Sequence, residues 1–253
     1  MTAPHHIDTP QGRRIAHHQT PGAGPGVVFL GGFRSDMEGT KALHLEDWAR
    51  RCGRAFLRFD YSGHGASSES FEDGCIGDWA EDAMAAISAL TEGPQILVGS
   101  SMGGWIALLV ARAMPQRVGG LVGVAAAPDF TEDGLWAAFS LSEREALMRH
   151  GRVERPSPYA EEPDVFTRRL IADGREQLVL RSPLALPLPV RLLQGTADAE
   201  VPVHTALALT DHADCADLRL TLVKHADHRF STPDCLALIE TAIAEVSARA
   251  EAG

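Results

Sequence analysis

The stretch "LVGSSMGGW" (residues 97–105) sets two serines side by side in a glycine-rich turn, between the apolar runs "QILV" and "WIALLVARAMP". A short apolar run that breaks into such a turn and resumes as a long apolar helical pattern reads as strand, sharp turn, helix. The segment matches G-x-S-x-G as Gly99-Ser100-Ser101-Met102-Gly103. That spacing fits a strained turn that lifts a serine hydroxyl above the end of a sheet. The residues two before and two after the raised serine are pressed together, so side chains there clash. With Ser101 raised, the crowded positions are Gly99 and Gly103; with Ser100 raised, they are the bulkier Val98 and Met102. Ser101 is therefore the candidate nucleophile. The Met102 N–H, opening the helix, is a candidate donor to an oxyanion, and the helix N-terminus adds favourable potential for negative charge. A serine that merely caps the helix is the alternative that this motif alone leaves open.

Working outward, the same rhythm repeats. Strands are expected at "VVFLGGF" (27–33), "AFLRFD" (55–60), "QILVGS" (95–100), "VGGLVGVAAAP" (118–128), "PVRLLQG" (189–195) and "LRLTLV" (218–223). Helices are expected at 41–53, 76–93, 102–115, near 203–210, and through 235–250. Apolar strands alternating with amphipathic helices predict an α/β fold: a mostly parallel central sheet with helices on both faces. The opening "HHIDTPQGRRIAHHQT", with a polar turn at Thr9–Gly12, predicts an antiparallel edge hairpin. Residues 129–187 break the rhythm with two helical patches around a proline-bearing "RVERPSPYAEEPD", and nothing there resembles a buried sheet strand. We expect a core of residues 1–128 and 188–253 carrying a small helical cap at 129–187.

At 253 residues the chain suits one large α/β domain. A formal net charge of −11 repels polyphosphate and argues against a nucleic-acid partner. Cys52, Cys75, Cys215 and Cys235 are far apart and lack metal-site spacing, so they read as reduced thiols of a cytoplasmic protein. The start, "MTAPHHIDTP", lacks the apolar core of a secretory signal, and no run approaches 18 apolar residues; stable membrane insertion is not expected. The pairs His5–His6 and His17–His18 read as strand or surface residues, and no metal site is expected.

A serine hydroxyl attacks well only when a histidine takes its proton. On a sheet of this kind the partners follow in the order Ser, acid, His. Asp198 lies in "TADAEVP", just past the strand 189–195, and His228 lies in "HADHRFS", just past the strand 218–223. Asp129 is a competing acid after the strand 118–128. Asp227 reads as a loop-fixing residue, and His225, directly after its strand, reads as a capping or packing residue. His64 reads as a loop histidine supporting its turn. The second oxyanion donor is expected from Gly31-Gly32-Phe33, where glycines admit close approach and the Phe33 N–H donates. Trp136 and Phe139, with Leu135, Leu141 and Met148, are candidates to line an acyl pocket, against the alternative of packing the cap onto the sheet. Arg34 is a candidate for binding a carboxylate or a sugar acid, against a structural pair with Asp36.

Together, "LGGF", "DYSGHGAS", "GSSMGG", "GTADAEVP" and "HADHRFS" resemble the motifs of the α/β-hydrolase superfamily across essentially the whole chain. "GFRSDMEGTKA" (32–42), "GSSMGGW" and "DHRFS" are similar to the group containing a mitochondrial palmitoyl-protein thioesterase, also an acyl-glucuronide esterase, and its bacterial relatives. The resemblance implies a triad of Ser101, Asp198 and His228, and hydrolysis of acyl thioesters or activated oxygen esters without a cofactor. The implied partner is a small ester or an acylated protein. A general short-chain carboxylesterase and a non-catalytic ligand receptor on the same fold are the rivals. Gly31 stands where many such enzymes carry a histidine, a change with little consequence because the donor there is a backbone group.

Overall fold

A computed structural model of the chain describes residues 3–156 and 163–252. A polar turn joins β1 (His5–Asp8) to β2 (Arg14–Thr20), paired antiparallel from His5↔His17 to Asp8↔Arg14. Then β3 (Ala23–Leu30), α1 (Thr40–Cys52), β4 (Arg54–Phe59), α2 (Ile76–Leu90), β5 (Gln95–Ser100), α3 (Met102–Ala113) and β6 (Val118–Val124) alternate. The chain next leaves the sheet through a π-helical turn (Thr131–Trp136), α4 (Leu141–His150), β7 (Arg152–Arg155), β8 (Asp164–Thr167), α5 (Arg168–Glu176) and β9 (Leu184–Ala185). It returns through β10 (Val190–Gly195), α6 (Val203–His212), β11 (Ala213–Asp214), β12 (Leu218–Val223) and α7 (Pro233–Ala252).

One eight-stranded sheet results, in the order β1-β2-β4-β3-β5-β6-β10-β12. From β4 to β12 its neighbours run parallel, and the β1–β2 hairpin closes one edge antiparallel. This is the α/β-hydrolase architecture expected from the motifs. Period-two alternation divides the strand side chains between two cores. Val27, Phe29, Ile96, Val98, Val122 and Val124 pack beneath α1 and α7; Val28, Leu30, Leu97 and Leu121 pack beneath α2 and α3. Both faces are covered, which is why these strands read as unbroken apolar runs. Each fully buried Val, Leu or Ile contributes about 1.5–3 kcal/mol.

Two expectations need correction. The strand expected over 118–128 ends at Val124. Ala125 there turns with φ 46°; its N–H makes a last bond to β10 at the Leu193 carbonyl, and the Ala127 N–H then goes to the Ser101 carbonyl instead of the ladder. The segment 129–187 is not purely helical. β7 and β8 form an antiparallel pair from Arg152↔Thr167 to Arg155↔Asp164, separate from the main sheet. The missed signal is alternation: Val153 and Phe166, which face each other across the pair, are buried, whereas Arg152 and Glu154 are exposed. Part of the proline-bearing stretch, 157–162, lies outside the described residues. The insertion is anchored to the core by specific bonds. The Gly77 N–H donates to Asp173 at 2.7 Å, and the Trp105 indole donates to the Gln177 carbonyl at 3.1 Å.

All four cysteines are free thiols. No helix among the described residues is long and apolar enough to cross a membrane.

Burial of two histidines sets an acid limit on the fold. Desolvation first, then the neighbouring histidines, pushes His17 from 6.5 down to about 4. Desolvation, with Arg34 nearby, takes His64 to about 4 despite its bond to the Ser62 carbonyl. Between pH 6.5 and 4 the unfolded chain therefore binds protons that the folded chain refuses. Their stabilising contribution is full above pH 6.5 and is lost as the pH falls toward 4. The urea midpoint is expected to drop through that window, and His64→Gln is expected to flatten the drop. A midpoint independent of pH there would contradict this account.

Candidate active site

Loops leaving the carboxyl ends of the parallel strands converge on Ser101. The sequence forces this locally. β5 must give way to α3 within one residue, and Ser101 absorbs the turn at φ 54°, ψ −119°, a conformation L-residues rarely adopt. The turn is possible because its flanks are bare. A Cβ at Gly99 would lie 2.3 Å from the Gly103 carbonyl oxygen, and one at Gly103 would lie 2.0 Å from the Leu30 oxygen. Ser100 remains in β5, paired with Val124 and nearly buried.

Strain of this kind is confined to one side of the sheet. Among the described residues, Arg34, Glu69, Ser101, Ala125, Asp129, His225 and Phe230 are the non-glycine residues with positive φ. All seven lie in loops that follow β3, β4, β5, β6 or β12 at their carboxyl ends. That is where open parallel sheets bind ligands.

Two of these loops carry the candidate acid and base. β12 lies three strands from β5, roughly 14 Å at 4.8 Å per strand, so its loop must reach back across the sheet. The reach is fixed by bonds to the loop after β10: the Ala197 N–H donates to the Ala226 carbonyl, and the His225 N–H donates to the Thr196 hydroxyl. His228 Nδ1 then stands 2.9 Å from Asp198 Oδ2, and His228 Nε2 stands 3.1 Å from Ser101 Oγ. An ionised carboxylate can only accept, so Nδ1 carries the ring proton and Nε2 is left to accept from the Ser101 hydroxyl.

The Asp198 side chain is fully inaccessible to solvent, and its oxygens are satisfied. Oδ1 accepts from the Glu200 and Val201 N–H groups at 2.9 and 2.8 Å, and Oδ2 also accepts from the Gln194 amide at 3.0 Å. Burial opposes its charge, but the hydrogen bond and charge of His228 and the Val201 and Glu200 N–H groups outweigh it and hold its pKa below the ordinary value.

The competing residues are engaged elsewhere. The buried Asp129 carboxylate accepts from the Val179 and Leu180 N–H groups and from the Arg181 guanidinium at 2.8, 3.0 and 2.7 Å, which pins the returning end of the insertion. Asp227 accepts from the Phe230 N–H, a loop-fixing role. His225 is exposed at the end of its strand. His64 donates from Nδ1 to the Ser62 carbonyl and packs among Tyr61, Phe71 and Trp79, supporting its turn.

On the opposite side of Ser101 lies the loop after β3. A Cβ at Gly32 would lie 3.4 Å from the Ser101 Cβ, so this backbone passes directly over the serine. Neither the Phe33 N–H nor the Met102 N–H has an acceptor among the described residues. Asp60 holds the far end of the loop by accepting the Met37 N–H at 2.6 Å.

The candidate pocket residues are placed differently from one another. Arg34 pairs with Asp164 of β8 at 3.2 Å, not with Asp36. Phe139 is buried against Phe166 and Trp136, and its outer face is covered by Arg155. The Arg144 and Arg175 guanidinium groups lie 4.9 and 4.6 Å from the centre of the Trp136 ring. Leu141 and Met148 face solvent, at 78% and 55% exposure, and Met148 borders an outer groove of the insertion with Trp136, Leu147 and Arg175.

Three neighbours of the site were not expected from the sequence. Gln194 braces Asp198. The Glu200 carboxylate lies 3.4 Å from His228 Nε2. Lys41 in α1 donates its ammonium to the Arg229 carbonyl, and burial pushes it down to about 8. The only available signal was adjacency, for Gln194 and Glu200 flank Asp198 by a few positions; Lys41 gave none.

Residues 27–245 match the Alpha/beta hydrolase family. The chain belongs to that family. Within it, the chain is 39% identical over 228 residues to the mitochondrial palmitoyl-protein thioesterase ABHD10 of Bos taurus, covering 88% of this chain and 73% of that protein. A solved structure of an Agrobacterium vitis S4 protein superposes with a TM-score of 0.93 at 42% identity, covering 96% of this chain and 98% of the other. Mouse alpha/beta hydrolase domain-containing protein 10 superposes at 0.89 and 32% identity, with coverage of 96% and 98%. The narrower likeness read from "GFRSDMEGTKA" thus extends along most of the chain.

Proposed function

We propose that the protein is a serine hydrolase that cleaves acyl thioesters, and secondarily activated oxygen esters such as acyl glucuronides, through an acyl-enzyme on Ser101. The observation that carries this reading is the relay from a strained Ser101 to His228 at 3.1 Å and on to a buried Asp198 at 2.9 Å. Ser101 Oγ bonds to the substrate carbonyl carbon while its proton passes to His228 Nε2. The carbonyl electron pair moves to oxygen, where the Phe33 and Met102 N–H groups donate to it. Asp198 keeps the imidazole in the accepting tautomer and stabilises the imidazolium. Collapse of the adduct re-forms the carbonyl and expels the thiolate or alkoxide, which takes the proton from His228. A water then repeats both steps, releasing the carboxylic acid and restoring Ser101. In this reading residues 129–187 form the cap over the acyl group. The thioester preference rests on the relatives named palmitoyl-protein thioesterases.

A substrate panel tests the proposal: p-nitrophenyl esters of increasing chain length, palmitoyl thioesters and acyl glucuronides. Turnover is expected to be highest on the palmitoyl thioester. A flat preference for short esters would replace this reading with a general carboxylesterase. No turnover, together with no labelling of Ser101 by a fluorophosphonate, would leave a ligand receptor on a hydrolase fold.

A further inference from the structure

The loop that supplies the Phe33 N–H begins with Gly31-Gly32, two residues with no side chain to stiffen the backbone. An oxyanion donor is useful only when it is held before charge develops, so something outside the glycines must fix this loop. The next two residues do so, both against β8. The Phe33 ring stacks on Phe166, with centroids 6.0 Å apart and planes 12° apart, and meets Phe71, Trp79 and Phe130 edge-on. The Arg34 guanidinium pairs with Asp164 Oδ1 at 3.2 Å and lies 4.8 Å above the Phe71 ring. Asp164 and Phe166 are two apart on a strand and so present one face. Arg34 also adopts φ 57°, which an arginine holds only under external constraint. β8 is itself fixed: it pairs with β7, whose Arg155 bonds Glu143 of α4 at 2.7 Å.

We infer that β8 positions the oxyanion donor, and that Asp164 is a positioning residue acting through Arg34 on the Phe33 N–H. The inference rests on the Ser101 mechanism proposed above. It assigns the insertion a part in the chemical step in addition to covering substrate, and it gives Arg34 a partner within the chain where the sequence suggested a ligand carboxylate.

The test uses the full chain and p-nitrophenyl butyrate, a substrate too short to depend on contacts with a long acyl pocket. Asp164→Ala and Arg34→Ala are each expected to lower kcat about tenfold, a fraction of the 10²- to 10³-fold lost when such a donor is removed outright, with KM little changed. Asp164→Glu is expected to restore most of the loss, and the double alanine variant is expected to be no slower than either single one. Unchanged kcat in Asp164→Ala overturns the inference while leaving the hydrolase reading intact. So does a loss that Asp164→Glu fails to restore, or one that tracks a fall in Tm, since either marks a purely structural role. A wild-type protein that neither turns over ester nor takes up fluorophosphonate at Ser101 removes both readings together.

Discussion

Ser101→Ala is expected to lower kcat on ester and thioester substrates by roughly 10⁴- to 10⁶-fold, with KM nearly unchanged. The substitution deletes the hydroxyl oxygen that stands 3.1 Å from His228 Nε2 and leaves the fold untouched, because the Ser101 N–H and C=O keep their bonds to Val124, Gly104 and Ala127. On the proposed mechanism, what remains is the polarising effect of the Phe33 and Met102 N–H groups. The neighbouring Ser100 separates nucleophile from turn: Ser100→Ala is expected to keep most of its turnover and its fluorophosphonate adduct, whereas Ser101→Ala loses both. Near-wild-type turnover by Ser101→Ala, or an adduct on another residue by intact and peptide mass measurement, would refute the assignment.

Gly103→Ala is expected to damage stability and activity at once. A Cβ at this position would come 2.0 Å from the Leu30 oxygen and 2.5 Å from the Gly31 oxygen, both backbone atoms of the neighbouring strand and its loop. No side-chain rotation relieves that contact. α3 must move off β3, and with it move the Met102 N–H and the Gly31-Gly32 backbone. Overpacking against backbone belongs at the upper end of its usual range, about 3 kcal/mol, which for a chain of this size lowers Tm by roughly 6–12 °C. kcat is expected to fall as well, because the elbow and the loop after β3, the proposed oxyanion donor, meet at this glycine. A variant with wild-type Tm and turnover would show that the elbow tolerates a Cβ and would undo the steric distinction between the two serines.

That distinction was legible in nine residues because it depends on local covalent geometry. A turn tight enough to raise Ser101 brings positions 99 and 103 together, whatever the rest of the chain does. The strand limits at Gln95–Ser100 were readable for a related reason: a buried parallel strand needs a continuous apolar run, and the turn that ends it needs glycine or polar residues. Leu218–Val223, at the sheet edge, was readable instead from the alternation of Leu218, Leu220 and Leu222 with Arg219 and Thr221. The order Ser101, Asp198, His228 followed from the placement of each residue just past such a strand. β7 and β8 were missed because four-residue strands carry too few alternations to stand out beside longer helical patches, and their pairing partner is each other rather than the main sheet.

Choosing between Asp129 and Asp198 lay beyond sequence pattern, since both follow core strands. It depends on where each carboxylate finds donors: Asp129 meets the Val179, Leu180 and Arg181 donors of the returning chain, and Asp198 meets Gln194 and His228. The same holds for Arg34. Its ion pair with Asp164 joins residues 130 positions apart, and no local rule of spacing connects them. Chain chemistry settled which serine occupies the elbow, because that is a matter of atoms within two residues of one another. Tertiary packing decided which acid reaches His228 and which carboxylate meets Arg34 in the loop after β3, because a carboxylate's partners are the donors brought around it from distant parts of the chain.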